Sequence, residues 1–260
     1  MPLFSIITVV RDDLAGLIRT HASLAAQSCR DVEWIVVDGD SRDGGREWLE
    51  ARAGEIDWWR SAPDGGLYDA MNIGLGVATG GYLLFLNAGD ALAGGDTLAV
   101  VAAALAGAGW PDFCYGDSWE QAPGGPLRLK PARSHHRAWY GMFTHHQAMF
   151  CRRGAVEGLL FNPAYPIGAD YAFTLEVLKR AGAPLYLPRP ICIFTIGGCS
   201  QRLAALGRRD QSLIRKHVLN DGLARRSAIR AVQLLAGMTR MAAPFLFHAL
   251  RCKGVPEKTI

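Results

Sequence analysis

The stretch PDGGLYDAMNIGLGVATGGYLLFLNAGD, residues 63–90, holds a glycine-rich turn, a helical pattern and a strand pattern. The unbroken apolar run 82–86 ends at Asn87-Ala88-Gly89-Asp90, which predicts a strand that is covered on both faces. Because ligands of such sheets bind beyond the carboxyl ends of the strands, we predict that Asp90 faces a ligand. The alternative is that residues 87–90 form only a turn. Before the strand, apolar residues at helical spacing predict a helix: Leu67, Ala70, Met71, Ile73, Gly74 and Val77.

The same alternation of strands and helices extends toward the N-terminus. The order β-α-β-α-β-α-β predicts a doubly wound, mostly parallel sheet with right-handed connections and helices on both faces. Its earlier members are strands at 5–10, 32–37 and 57–61 and helices at 14–26 and 42–53. After residue 90 the pattern predicts a helix at 91–108, a strand at 112–118, a loop or edge hairpin at 121–133, a strand at 143–152, a helix at 169–181, and strands at 185–187 and 191–196.

Composition narrows the class of protein. The 260 residues are 50% hydrophobic, enough for one sizeable domain with an appendage. No run of eighteen uncharged apolar residues occurs, and the N-terminus resembles a strand more than a signal peptide. Six cysteines without a CxxC pair fit reduced thiols and a cytoplasmic location. The pairs His135-His136 and His145-His146 lack a Cys or Asp at metal-ligand spacing, so most of these histidines are expected to be exposed or structural.

The charge of the chain is distributed unevenly. Residues 202–260 hold 12 basic and 3 acidic residues, whereas the first 201 hold 16 and 21. We therefore predict a catalytic domain at 1–200 and a basic helical tail at 201–260. The polar side chains of residues 226–251 form one stripe on an apolar helix, which suits an anionic membrane surface on the inner face of the cytoplasmic membrane. Docking on the domain or on a second subunit is the alternative, and Pro244 should bend the helix. The stripe comprises Arg226, Arg230, Gln233, Arg240, His248 and Arg251.

Strand-end clusters at 38–41, 87–90 and 168–171 occur with other motifs in a specific order. Together they resemble family 2 glycosyltransferases of the nucleotide-diphospho-sugar (GT-A) fold, and within them the bacterial exopolysaccharide and colanic-acid type. The resemblance spans about the first 200 residues. Its motifs are SIITV at 5–9, Ser23-Leu24 with Gln27, Glu33, VVDGDSRDG at 36–44, YDAMNIG at 68–74, FLNAGD at 85–90, YGD at 115–117, HQA at 146–148 and GADY at 168–171.

The resemblance implies an inverting transferase for bacterial surface polysaccharide. Its donor would be a nucleotide-diphospho-sugar, with UDP favoured over GDP, and its acceptor a glycan or polyprenyl-linked glycan. Residues 1–110 would bind the nucleotide and residues 111–200 the acceptor. Asp38 and Asp40 would hydrogen-bond the nucleobase and ribose, while Thr8, Asn72 and Asn87 would contribute to the donor pocket. The alternatives are an Asx-type turn at Asp38 with Ser41 as a helix cap, a plain strand residue at Thr8, and a buried helix contact at Asn72.

The same resemblance assigns the chemistry. Asp90 would hold Mg²⁺ or Mn²⁺ against the diphosphate, although Asn87 and Gly89 stand where the family usually has an Asp-x-Asp pair. Asp170 would be the general base for the acceptor hydroxyl, or alternatively the N-cap of the following helix. His146 and Gln147 would contact the acceptor or the diphosphate.

Other classes fit less well. The glycines at 74, 76 and 80 lie within or after a helix, not at its start as in a dinucleotide-binding motif. The first strand is not followed by the glycine-rich basic signature of a nucleotidyltransferase. The tail has few aromatic residues for stacking on bases, so nucleic acid is not expected as a partner. A non-catalytic, degenerate transferase fold that binds nucleotide-sugar or acts as a scaffold remains the alternative, because the metal motif is reduced.

Overall fold

The structure is a computed structural model that describes residues 1–198 and 202–242, with side chains described as far as residue 234. The chain divides into two compact units, Met1–Gln211 and Ser212–Ile260.

The first part of the larger unit alternates strands and helices as predicted. Strands β3, β2, β1 and β4 lie side by side and are all parallel. Helix α2 is shorter than predicted because the Asp43 carboxylate accepts from Gly45 N and from Leu14 N, so the helix begins only at Gly45. The elements are β1 (Phe4–Val10), α1 (Leu14–Ala25), β2 (Val32–Asp38), α2 (Gly45–Ala51), β3 (Trp58–Ser61), α3 (Leu67–Val77) and β4 (Tyr82–Phe85).

The second part of the unit extends the sheet and mixes its strand directions. Strand β8 inserts antiparallel between β4 and β6, and β9 then runs parallel to β6. The full order is β3-β2-β1-β4-β8-β6-β9-β5, with β7 paired to β6. The elements are β5 (Ala91–Leu92), α4 (Thr97–Gly107), β6 (Phe113–Gln121), β7 (Leu127–Lys130), β8 (Met149–Arg152), α5 (Arg153–Val156), α6 (Ala169–Arg180) and β9 (Leu185–Thr195).

Several predicted elements of this second part are wrong in extent. The helix predicted at 91–108 begins at Thr97, because residues 91–92 pair with β9. The strand predicted at 143–152 begins at Met149, because residues 146–148 form a 3-10 turn. The two late strands form one strand, since a register shift opposite Gly116 and Asp117 accommodates its prolines. Residues 121–133 form the edge hairpin that was one of the two predicted possibilities.

Strand β4 occupies the interior position that its apolar sequence predicts. It pairs with β1 on one side and β8 on the other, and all of its side chains are buried. The turn before it is tied to the sheet by Glu33, which accepts from Thr79 N at 2.6 Å and Gly80 N at 2.8 Å. Burial alone would raise the pKa of Glu33, but hydrogen bonds from Ser5, Thr79 and Gly80 lower it overall. These bonds hold the turn that leads into β4 against the sheet.

Two helices follow the sheet: α7 (Ala204–His217) and α8 (Leu223–Ala242). The described part of α8 exposes Leu223, Val232 and Leu234 together with Arg225 and Arg230. Among the described residues, no helix is long and apolar enough to span a membrane. The predicted bend at Pro244, and the stripe side chains of Arg240, His248 and Arg251, lie outside the described residues and side chains.

Candidate active site

Asp38 ends β2 with its carboxylate fully buried. Its oxygens accept from Ser61 Oγ at 2.6 Å, from Ser41 N at 3.2 Å and from Ser41 Oγ. This is the Asx-type turn that was one of the two interpretations of the motif. Ser41 does not cap α2, whose N-cap is Gly44. Asp40 lies two residues beyond the strand and is half-buried, with a left-handed backbone at φ 64°.

The approach to this turn is narrow at Gly39. A Cβ atom on Gly39 would lie 2.8 Å from Asp64 Oδ2 and 3.4 Å from Arg11 Cδ. The residues that follow β1, β2 and β3 therefore converge at one edge of the sheet. Thr8 lies deeper, inside β1, where its hydroxyl accepts from Trp34 Nε1 at 3.0 Å and is fully buried. Thr8 is thus a residue of strand β1, which was the alternative interpretation. The predicted role of Thr8 in the donor pocket stays a prediction.

Helix α1 holds the loop that follows β4. The Thr20 hydroxyl lies 2.7 Å from the carbonyl oxygen of Asp90 and 3.1 Å from that of Gly16. A Cβ atom on Gly16 would lie 2.7 Å from Gly89 N, so only glycine permits this approach. Gly89 itself has φ 90°, in the region that favours glycine. The close packing fixes the direction in which the Asp90 side chain points.

The Asp90 carboxylate lies in the interior. Its Oδ2 accepts from Gln147 Nε2 at 2.6 Å and its Oδ1 from Thr195 N at 2.9 Å. Burial raises the pKa of Asp90 to about 6, although these two bonds and the nearby His146 oppose the shift. Buried carboxyl groups with a raised pKa at the ends of strands often belong to functional sites.

Two amide oxygens near Asp90 are buried without a hydrogen-bond partner among the described residues. They are Asn87 Oδ1 and Gln147 Oε1. Buried polar atoms are normally paired, so each calls for an explanation such as a bound ion. Hard divalent cations prefer oxygen ligands, and amide oxygens are among them. With Asp90 these atoms supply oxygen donors that fit Mg²⁺ or Mn²⁺. The described residues contain no cluster of three or more His, Cys, Asp or Glu side chains that could hold a metal.

His146 and Asp170 form the second half of the site. His146 Nδ1 lies 3.3 Å from Asp170 Oδ2, and His146 Nε2 lies 3.4 Å from Asn87 Nδ2. The neutral tautomer that donates from Nδ1 and accepts at Nε2 satisfies both contacts. Tyr68 Oη lies 3.2 Å from the other oxygen of Asp170. The site therefore runs without interruption from the end of β4 to the start of α6.

Helix α3 positions the segment that leads to Asp170. The Tyr68 hydroxyl donates to Ile167 O at 2.8 Å, and Asn72 exchanges two hydrogen bonds with the backbone of Phe161. Asn72 is thus the helix contact that was its alternative interpretation, and its predicted part in the donor pocket stays a prediction. Helix α6 has Gly168 as its N-cap, so the alternative that Asp170 caps the helix is wrong.

Sequence reasoning missed one charged group beside the site. Glu120 Oε1 lies 3.2 Å from Lys130 Nζ and 3.1 Å from His145 Nε2, and His145 stacks on Phe194. The contact with His145 and the Lys130 ammonium lower the pKa of Glu120 to about 2 against the effect of burial. Burial lowers the pKa of His145 to about 4. No spacing in the sequence indicates this group, because the β6–β7 hairpin brings Glu120 and Lys130 together and His145 comes from the turn before β8.

The mixed sheet, with its acidic side chains collected at one edge, defines a GT-A-type nucleotide-sugar transferase fold. The glycosyl transferase family 2 model matches residues 5–160. A PGL/p-HBAD biosynthesis glycosyltransferase of Mycobacterium tuberculosis is 36% identical over 183 residues, 69% of this chain and 71% of the relative. An uncharacterized glycosyltransferase of the same species is 43% identical over 109 residues, and this match spans only 42% of either chain.

Solved structures show the same fold at low identity. S. aureus TarS 1-349 in complex with UDP-GlcNAc has a TM-score of 0.67 and 18% identity, over 90% of this chain and 72% of that one. The mannosyltransferase PcManGT from Pyrobaculum calidifontis, solved with GDP-Man and Mn²⁺, has a TM-score of 0.66 and 16% identity, over 97% and 79%. The chain belongs to glycosyl transferase family 2, which confirms the predicted family and fold.

We expect Asp90→Asn to stabilise the protein without ligands at pH 8. A carboxyl whose folded pKa is raised contributes stability that is present below pH 4 and is lost as the pH rises through about 6. The asparagine amide can still accept from Thr195 N and can donate to Gln147 Oε1. The variant should gain about 2 kcal/mol at pH 8 and nothing at pH 4, measured by urea unfolding. Asp96→Asn, in an exposed position nearby, should change neither value, and equal stability of Asp90→Asn and wild type at pH 8 would contradict the expectation.

Proposed function

We propose that the protein transfers a sugar from a nucleotide-diphospho-sugar to an acceptor hydroxyl in one inverting displacement. The observation that supports this most directly is the turn at residues 146–148. Its Gln147 contacts Asp90 at 2.6 Å, and its His146 contacts Asp170 at 3.3 Å. A group for the leaving diphosphate and a group for the attacking hydroxyl thus flank one short turn. A single displacement needs this pair of functions on opposite sides of the anomeric carbon.

The donor nucleotide would lie at the carboxyl ends of β1 and β2. Asp40 and the Asp38 turn offer acceptors for ribose and base N–H and O–H groups, and Thr8, Asn72 and Asn87 would support the pocket. Two of the structural relatives were solved with UDP-GlcNAc and with GDP-Man, which supports a nucleotide-sugar donor. UDP remains our proposed nucleotide.

Asp90 would hold a Mg²⁺ or Mn²⁺ ion together with Asn87 Oδ1 and Gln147 Oε1. Such an ion neutralises negative charge on the leaving nucleoside diphosphate. With one carboxylate in place of two, the protein supplies less charge, so donor phosphates would complete the set of ligands. The pKa of Asp90, about 6, implies that a proton competes with the cation below that pH.

Asp170 would accept the proton of the acceptor hydroxyl as that oxygen attacks. His146 donates to one carboxylate oxygen from Nδ1 and Tyr68 lies against the other, so the carboxylate has a fixed orientation. The side chain is about one-fifth exposed at 18%, which leaves it open to a substrate. His146 and Gln147 would also border the acceptor or the diphosphate. We propose a glycan or polyprenyl-linked acceptor of bacterial surface polysaccharide.

We expect calorimetric titration to show nucleotide binding that depends on Mn²⁺ and on Asp90. UDP, GDP and their complexes with Mn²⁺ are titrated into wild type, Asp90→Asn and the exposed control Asp96→Asn. Wild type and the control should bind one nucleotide with Mn²⁺ at least tenfold more tightly than without it. Asp90→Asn should lose this gain, because the amide carries no charge for the cation.

The same titration distinguishes a metal-dependent transferase from a non-catalytic scaffold. Equal affinity with and without Mn²⁺ in wild type would contradict the metal assignment. No nucleotide binding in any condition would overturn the transferase proposal and favour the scaffold alternative.

We expect Asp170→Asn to retain nucleotide binding and lose sugar transfer. Loss of a general base typically lowers the rate 10²–10⁴-fold. Release of nucleoside diphosphate, with donor and acceptor present, measures the turnover number and the KM for the donor. The turnover number should fall by about that factor while the donor KM stays within twofold. Asp112→Asn is the control, since Asp112 is a half-buried carboxylate that pairs with Arg152. A turnover number within threefold of wild type in Asp170→Asn would refute the assignment.

We propose further that α8 binds anionic lipid on the inner face of the cytoplasmic membrane. Its exposed apolar residues and arginines support this arrangement. Wild type should sediment with phosphatidylglycerol vesicles and not with phosphatidylcholine vesicles. The double variant Arg225→Glu, Arg230→Glu should lose most of this binding, whereas Arg30→Glu, Arg60→Glu, with the same change of charge, should keep it. Equal sedimentation of both double variants would contradict the proposal that α8 binds anionic lipid.

A further inference from the structure

The loop of residues 133–143, which we call the aromatic loop, is held across the start of α6. Tyr171 Oη donates to Ala138 O at 2.6 Å in the interior. A few residues beyond the loop, His146 contacts Asp170, the neighbour of Tyr171. The chain from Ala138 to His146 is therefore anchored at both ends on the first turn of α6. The residues between these anchors precede His146, which contacts the proposed base.

The aromatic loop is closed and braced by its own hydrogen bonds. Arg133 N donates to Phe143 O at 2.8 Å, which closes the base of the loop. On either side of this bond, Ala132 N donates to Asp117 Oδ1 at 2.7 Å and Thr144 Oγ1 to Gly116 O at 2.8 Å. Two turns fill the interior of the loop. A loop that is braced in this way can present side chains without a large loss of conformational entropy on binding.

The loop presents an aromatic and cationic surface. The Trp139 side chain is 41% exposed, and its ring lies 5.8 Å from that of Tyr140. The guanidinium carbon of Arg133 lies 5.7 Å from the centroid of the Tyr140 ring, and its Nη2 donates to Met142 O. These three side chains form a continuous row. Residues 121–156, which include this row, contain six Lys or Arg and no Asp or Glu, while Asp117 and Glu120 contact Ala132 N and Lys130.

We propose that the aromatic loop binds an anionic sugar of the acceptor, with the ring packed on Trp139 and the anionic group paired with Arg133. This inference rests on the proposed function and names the acceptor class of that site. The C–H face of a pyranose is apolar and matches an exposed indole, while a guanidinium pairs with carboxylate or phosphate. The anionic group is a uronic acid carboxylate or a sugar phosphate, and both present the same chemistry to Arg133.

A single exposed tryptophan is common on protein surfaces, so position distinguishes this one. Trp110 provides a comparison within the chain, since it is 42% exposed and packs near Tyr82. It follows α4 and has no catalytic carboxylate among its described contacts. Trp110 is therefore the matched control for Trp139.

The test is ¹⁹F NMR of the full chain labelled with 5-fluorotryptophan. The signals of Trp139 and Trp110 are identified by their loss in Trp139→Phe and Trp110→Phe. The probes are glucose, galactose and mannose 1-phosphates, p-nitrophenyl glucuronide and galacturonide, the neutral p-nitrophenyl glycosides of the same sugars, and inorganic phosphate alone. Anionic sugars should shift the Trp139 signal with at least tenfold lower Kd than neutral sugars, and the Trp110 signal should not move. Arg133→Gln keeps an amide donor without the charge and should abolish the tenfold advantage.

Each other outcome overturns the proposal. The proposal fails if no sugar moves the Trp139 signal, or if neutral and anionic sugars have equal Kd values. It also fails if inorganic phosphate alone gives an equal response. A preference among the anionic probes identifies the source of the charge, uronic acid or phosphate. The calorimetric titration of nucleotides tests the transferase separately. Nucleotide binding with an unmoved Trp139 signal refutes only the aromatic-loop proposal. A responsive Trp139 without nucleotide binding refutes the transferase, and with it the acceptor role of the loop, but leaves its binding of anionic sugars.

Discussion

The buried carboxylate of Asp90 is the constraint on which the arrangement of the site depends. A charge that is removed from water must be met by hydrogen-bond donors, and here the donors come from two distant segments. Thr195 N lies at the end of β9 and Gln147 Nε2 in the turn before β8. Helix α1 completes the enclosure through Thr20. Satisfying one carboxylate therefore requires that the end of β4, the end of β9 and the 146–148 turn meet at one place.

The antiparallel direction of β8 brings the 146–148 turn to the end of β4. A purely parallel continuation would place a crossover helix after β4, because parallel neighbours need a long connection. Strand β8 instead enters from the opposite direction, so the turn that precedes it arrives at the carboxyl end of β4. His146 and Gln147 are adjacent in sequence and contact two carboxylates that are distant in sequence. The part of the chain that follows β4 is joined to the earlier part at this point.

The polar atoms around Asp90 also bear on the reduced metal motif. Asn87 stands at a position where the family usually has a carboxylate, and its amide keeps an oxygen atom there without the negative charge. Gln147 brings a second amide oxygen from the 146–148 turn. In the proposed metal site, fewer charged ligands would bind a cation less tightly, and donor phosphates would supply more of its ligands. The amide oxygens of Asn87 and Gln147 are buried without partners among the described residues. This agrees better with a binding site that a ligand completes than with a former site that has become part of the hydrophobic core. In a hydrophobic core, apolar residues would pack at a lower cost in free energy.

The sequence by itself determined the order of the elements up to β4, the buried interior position of that strand and the acidic clusters at strand ends. These features follow from local periodicity and from which residues form turns, and Leu67 to Asp90 shows both. Only the tertiary structure decided the strand directions after β4, the extent of β8 and β9, and the contacts of His146, Gln147, Tyr68 and Asn72. It also assembled the group of Glu120, Lys130 and His145. Pairing partners and side-chain contacts between distant segments depend on how the whole core closes, because a local pattern records which face is buried but not which neighbour buries it.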